Sequence, residues 1–199
     1  MMILSWLVPT VVSAALLTGQ PGAPSTTFEW QKEKTPLTLA GQGRRLKKVA
    51  FISVKVYDAS FYVGDAAAFK RTAAEALDST DQQKRFAMVL KFLRDVPADR
   101  VIGSFKEALT ANKIDLEGPG VKEFLKTVEV GGEVKEGQTL TLIGLRDPQG
   151  ETLLFENGQS QVATIKGTTG FLKQILSIWF GQTTESTMAD LKNSLLKQP

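Results

Sequence analysis

Residues 49–63 read Val49-Ala50-Phe51-Ile52-Ser53-Val54-Lys55-Val56-Tyr57-Asp58-Ala59-Ser60-Phe61-Tyr62-Val63. Val49, Phe51, Ser53 and Lys55 alternate with Ala50, Ile52, Val54 and Val56. A two-residue period with this much Val, Ile, Phe and Tyr specifies β-strand. Asp58-Ala59-Ser60 marks a bend or bulge before the last three residues. If the alternation runs unbroken, Lys55 and Tyr57 share a face with Val49, Phe51 and Ser53.

On the N-terminal side, 28–39 reads as a strand or hairpin punctuated by Pro36, and 37–39 leads into Gly41-Gln42-Gly43-Arg44-Arg45. On the C-terminal side, 65–79 is an Ala-rich short helix and loop. Phe86, Met88, Leu90 and Phe92 alternate as a strand. Val101, Ile102, Phe105, Ala108 and Leu109 are spaced as one helical face over 99–112, and Phe124, Leu125 and Val128 as another over 121–128. A hairpin follows over 139–155 around Asp147-Pro148-Gln149-Gly150, then a short strand over 161–166. Apolar and amphipathic helices over 171–180 and 186–197 close the chain, with Gly181 as a stop. Strands, helices, a hairpin and more helices, without a repeated βαβ unit, predict an α+β fold. Its helices cover one side of a mostly antiparallel sheet.

Residues 3–17 carry no charge and are mostly apolar. Fifteen helical residues reach roughly 22 Å, short of the ~30 Å bilayer core. Pro9 interrupts the run, and Ser13, Ala14 and Ala15 are small. This predicts an export signal over 1–19, cut between Ala14 and Ala23, then a Pro/Gly/Ser/Thr linker over 20–27 and one domain over 28–199. The expected location is periplasmic or secreted, with no stable membrane span after cleavage.

Composition removes whole classes of chemistry. The 199 residues include no His and no Cys. That excludes an imidazole base, a Ser-His-Asp triad, a thiolate nucleophile and a disulfide. No metal site or organic cofactor is expected. With 24 Lys and Arg against 21 Asp and Glu, the net charge of +3 is too weak and scattered for a nucleic-acid surface.

Gly41-Gln42-Gly43 lacks the third Gly and following helix of a dinucleotide loop and reads as a tight turn. Arg45 at the entrance of the long strand can hold a carboxylate or phenolate by charge-assisted hydrogen bonds. Lys55 either snorkels or joins Arg45 and Tyr57 at the polar end of an apolar pocket.

The order and spacing of several segments resemble the chalcone isomerase family, and in particular its exported bacterial members. They are Leu39-Ala40-Gly41-Gln42-Gly43-Arg44-Arg45, Lys55, Phe61-Tyr62-Val63, Phe92-Leu93-Arg94-Asp95-Val96, Asn112, Ile178-Trp179-Phe180-Gly181 and the 190–196 helix. The resemblance spans residues 37–197. It implies an open-faced sandwich, a large antiparallel sheet covered by helices with a ligand cleft between them. It places Arg45 at the family's catalytic Arg, Tyr57 at a strand Thr and Asn112 at a helix Asn. Phe105 falls at a helix Tyr, and Ile178 at a Thr or Ser with Ser177 beside it. The catalytic candidates are therefore Arg45, Tyr57 and Asn112, and the ligand-binding candidates Arg45, Lys55, Tyr57, Phe105 and Ile178.

With Phe105 and Ile178 apolar, the pattern is similar to fatty-acid-binding relatives, in which an Arg and a Tyr grip a carboxylate. The expected function is binding of a small amphipathic acid, a fatty acid or hydroxy-aromatic. One alternative is an isomerase acting on a chalcone-like enone, with Arg45 as electrostatic catalyst. The other is an envelope interaction protein with a vestigial cleft.

Overall fold

The computed structural model describes residues 15–199. Eight strands follow one another in chain order as an antiparallel meander: β1 (Leu17–Thr18), β2 (Ser25–Trp30), β3 (Glu33–Val49), β4 (Ile52–Val63), β5 (Arg85–Phe92), β6 (Thr139–Asp147), β7 (Gly150–Glu156) and β8 (Val162–Gly167). Among the described residues there are also five α-helices, α1 (Ala76–Ser79), α2 (Ala98–Ala111), α3 (Pro119–Val130), α4 (Phe171–Phe180) and α5 (Ser186–Leu196), and one 3-10 turn over Thr80–Gln82. This is the α+β sheet-and-helix architecture expected from the sequence. Among the described residues no helix is long and apolar enough to cross a membrane.

Strand alternation sorts the apolar side chains into two cores. Phe61, Met88, Leu142 and Phe155 lie in one cross-strand row and face the helices. The neighbouring row, Tyr62, Ala87, Ile143 and Leu154, faces the other way. Leu16, Phe28, Leu37 and Leu39 close over that second face. The sheet therefore curls, bringing its first strands across the back of its later ones.

The N-terminal boundaries differ from the expected ones. Of the export signal expected over 1–19, residues 1–14 lie outside the described residues. Leu16 is wholly buried, and Leu17 and Thr18 pair with Phe28 and Thr27. Of the expected 20–27 linker, Ser25 to Thr27 form half of β2, and the Gly22 N–H donates to the Tyr62 hydroxyl at 2.8 Å. Nothing in the apolar run of 3–17 marks Leu16 as a core residue or Leu17 as the start of β1, because signal and strand draw on the same apolar residue types.

Gly41-Gln42-Gly43 is not a turn. It lies within β3, beside a bulge at Ala40, and α5 packs against it. A Cβ on Gly41 would come 1.8 Å from the Leu195 carbonyl oxygen, and one on Gly43 2.7 Å from the Ser194 Cβ. These glycines let a helix lie directly on strand backbone. Arg45 follows on the same face, and α5 runs antiparallel to β3, so the start of α5 lies over Arg45.

This close approach predicts a contrast between two substitutions. Gly41→Ala should cost about 1–3 kcal/mol by overpacking, lowering Tm by roughly 2–4 °C per kcal/mol. Gly103 is exposed on α2 with nothing within 4 Å of an added Cβ. Gly103→Ala should stabilise by about 0.5–1 kcal/mol through helix propensity. Thermal melts of the two variants check both signs.

Candidate functional site

The helical layer does not cover the sheet evenly. α5 lies on β3, while α2 packs on α3 and α4. Between α2, the far ends of β3 to β5 and the start of α5 a cleft of about 470 Å³ remains open, within the range of small-molecule sites. Val56, Phe92, Val101, Phe105 and Ile178 form much of its apolar wall, and Arg45, Tyr57 and Glu185 line its polar end.

Arg45 is 9% exposed. Its guanidinium donates to the Leu46 carbonyl and the Thr187 hydroxyl, and to the Glu185 carboxylate at 2.9 Å. Lys47, two residues on and on the same face, pairs with the other oxygen of Glu185. Burial pushes the Glu185 carboxyl up, but hydrogen bonds from Lys47 and Arg45 with their charges outweigh it, and the carboxyl is held below its usual range. Two cations thus share one anion, leaving one positive charge at the end of an apolar cleft. Three hydrogen bonds leave up to two of the five guanidinium N–H donors for a ligand.

Tyr57 lies beside this cluster. Its hydroxyl accepts the Trp179 indole N–H at 3.3 Å, and no acceptor for its own proton occurs among the described residues. Burial raises its phenol above the usual range, against the pull of Trp179 and of the Arg45 charge. Tyr57 is therefore a neutral donor. Phe105 stacks on Phe124 and meets Trp179 edge-on, with ring centroids 5.7 and 5.8 Å apart. Ile178 is buried on the same wall.

The structure brings Arg45, Tyr57, Phe105 and Ile178 to one cleft, but not Lys55 or Asn112. Arg45 pairs with Tyr57 across β3 and β4, whereas Leu46 pairs with Lys55, so Val56 is an extra residue in β4. This bulge breaks the alternation. Val54, Val56 and Tyr57 line the cleft, and Lys55 is exposed outside it. Asn112 caps the end of α2 and ties it to the end of α4. Its amide donates to the carbonyls of Ala108, Ser177 and Gln182, and its oxygen accepts the Gln182 N–H at 2.7 Å. These contacts occupy its polar atoms away from the cleft.

Sequence reasoning missed Lys47, Glu185, Thr187 and Arg94. Lys47 was accessible from strand alternation, since it shares the Arg45 face. Arg94 lies on the cleft rim, exposed, with no hydrogen bond or ion pair among the described residues. Glu185 and Thr187 carry no local signal, because they meet Arg45 from 140 and 142 residues away.

No curated protein sequence matches the chain. Among solved structures, an Arabidopsis thaliana fatty-acid binding protein is similar to it, with a TM-score of 0.58 and 15% identity. The match covers 90% of this chain and 95% of that one, and at this identity it shows a shared fold. The model of the family described as chalcone isomerase-like matches residues 25–197. With the sheet, the helical cover and the cleft between them, the chain belongs to the chalcone isomerase-like family.

Proposed function

We propose that this protein is exported and binds a small amphipathic acid, its anionic head at Arg45 and Tyr57 and its tail along Val101, Phe105 and Ile178. One observation carries the reading. Arg45 and Lys47 together exceed the charge of Glu185, at the end of a cleft whose walls are otherwise largely apolar. A carboxylate neutralises the excess cation and takes the free Tyr57 proton donor. The tail gains about 25 cal/mol per Å² of apolar surface removed from water. The similarity to a fatty-acid binding protein supports the choice of a fatty acid as the first probe.

An isomerase needs polar groups that orient water and substrate at the reacting atoms. Arg45 and Tyr57 are available to such a reaction. Phe105 and Ile178 are apolar, and Asn112 is turned away into a helix-end contact. The cleft suits retention of an apolar tail better than ordering of water.

Titration with oleate and its methyl ester tests the head site. The ester should bind more weakly, and Arg45→Met should weaken oleate by about 1.5–3 kcal/mol, the range for a charged hydrogen bond, which is roughly 10- to 150-fold in Kd. Equal affinity of Arg45→Met and the native protein for oleate would remove the anchor. A second substitution addresses the tail. Ser104 lines the cleft from the exposed side of α2, and Ser104→Trp should fill it. Oleate affinity should fall roughly tenfold or more with Tm nearly unchanged, as read by calorimetric titration and a thermal melt.

A further inference from the structure

Four large apolar side chains are exposed among the described residues: Val49, Phe51, Ile52 and Val130. Three of them form the tip of the β3–β4 hairpin, where Val49 pairs with Ile52 and Phe51 is fully exposed at the turn. The tip carries a charge of one sign. Residues 46–57 contain Lys47, Lys48 and Lys55 and no Asp or Glu; Lys47 is paired with Glu185, and Lys48 and Lys55 are exposed without an ion pair among the described residues. It also adjoins the cleft, because Lys47, Val49 and Val54 belong to both the hairpin end and the cleft lining.

We propose that this hairpin inserts Val49, Phe51 and Ile52 into a bilayer containing anionic lipid, with Lys48 and Lys55 against the headgroups, so that the cleft mouth opens onto the membrane. A narrow convex turn offers far less than the ~1,000 Å² a stable protein interface needs. It matches an interfacial wedge, in which apolar burial and attraction of lysines to an anionic surface add. The assignment of the membrane as the source of the ligand rests on the proposed binding function.

Phe51→Trp provides the test, read by emission in vesicles of phosphatidylcholine with and without phosphatidylglycerol. A blue shift with the anionic vesicles, quenched by spin-labelled lipid, is expected. Phe51→Ser with Ile52→Ser should reduce vesicle partitioning roughly tenfold. This double variant should leave oleate affinity in vesicle-free solution unchanged while slowing oleate transfer from vesicles. Unshifted emission with anionic vesicles overturns the proposal, as does a concentration-dependent dimer that hides Phe51. Vesicle binding without oleate binding would instead overturn the ligand reading alone.

A separate observation concerns Leu16 and Glu156 and rests on the export reading, not on the ligand. Glu156, at the end of β7, is buried. Among the described residues its carboxylate receives one hydrogen bond, a 3.4 Å contact from the Leu16 backbone N–H, and forms no ion pair. A buried carboxylate with one long neutral hydrogen bond lacks compensation. Leu16 is held in place, its side chain buried in the second core and its carbonyl accepting the Glu29 N–H at 3.0 Å. Ala15 is exposed, and Ser13 and Ala15 are small residues at the −3 and −1 positions of a signal-peptidase site.

The geometry points to cleavage between Ala15 and Leu16, with the freed Leu16 α-ammonium paired to Glu156. Signal peptidase and one water break the peptide bond. Ala15 keeps the carboxylate, and Leu16 takes the amine, protonated at neutral pH. A cut further along would remove Leu16 from the core and the partner of Glu156 with it.

The mass of the protein recovered from the envelope of an expressing Gram-negative host should correspond to a chain beginning at Leu16. An uncleaved chain, or one beginning elsewhere, overturns the inference. In the processed protein Glu156→Gln should lower Tm. In a chain that retains the upstream residues, the same change should be neutral or stabilising, because it removes an uncompensated charge. Equal effects in both chains would overturn the ion pair. If the variant does not fold, acylation of the native protein decides. The Leu16 amine should resist acetylation until the protein is denatured, and equal labelling in both states would overturn the pair.

Discussion

The absence of a Cβ at Gly41 and Gly43 is the constraint on which the site depends. It lets α5 lie on the backbone of β3, with Leu195 over Gly41 and Leu191 and Ser194 over Gly43. Two residues further along the same face, Arg45 meets the first turn of that helix and the residue before it. The seat that packs the helix is thus also the device that aligns Glu185 and Thr187 with the guanidinium. An isolated strand would leave Arg45 in water, where a charged pair contributes little. Here the pair is largely shielded, and removing either partner would strand a charge.

The two bulges at Ala40 and Val56 shape the rest of the cleft. Each adds one residue to one strand of the β3–β4 pair and shifts which side chains face the helices. Beyond the second bulge, Val54 and Val56 continue the apolar wall that Tyr57 begins. The hairpin then extends past the helical layer and ends in an exposed apolar tip among lysines. The polar cluster and the tip are therefore parts of one ribbon.

Much of the helical face was legible in the residues. Phe86, Met88, Leu90 and Phe92 alternate without interruption, and all four are buried against the helices. Val101, Ile102, Phe105 and Leu109 keep helical spacing, and all are buried on one side of α2. Tyr57 was legible from the strong strand pattern around it and Arg45 from its charge beside that strand, and the two prove to be cross-strand partners on β4 and β3. Lys55 was misplaced by the same logic, since parity holds only until a bulge. A bulge leaves little mark in a run of Val and Ser. Asn112 was assigned by position along a helix, but its amide is committed to the end of α4, which no local pattern encodes.

Local sequence was enough for the alternation of strands, the apolar faces of the helices, the lack of imidazole and thiol chemistry, and the choice of Arg45 and Tyr57 as polar candidates. These follow from residue type and spacing over short stretches, where backbone geometry sets the direction of each side chain. That a Gly-x-Gly segment seats a helix, that Glu185 and Thr187 complete the arginine's shell, and that Leu16 belongs to the core emerge from the folded chain alone. Each depends on contact between segments far apart in the chain. Such contacts are set by packing of the whole sheet and its cover, for which no periodicity in the intervening residues is required.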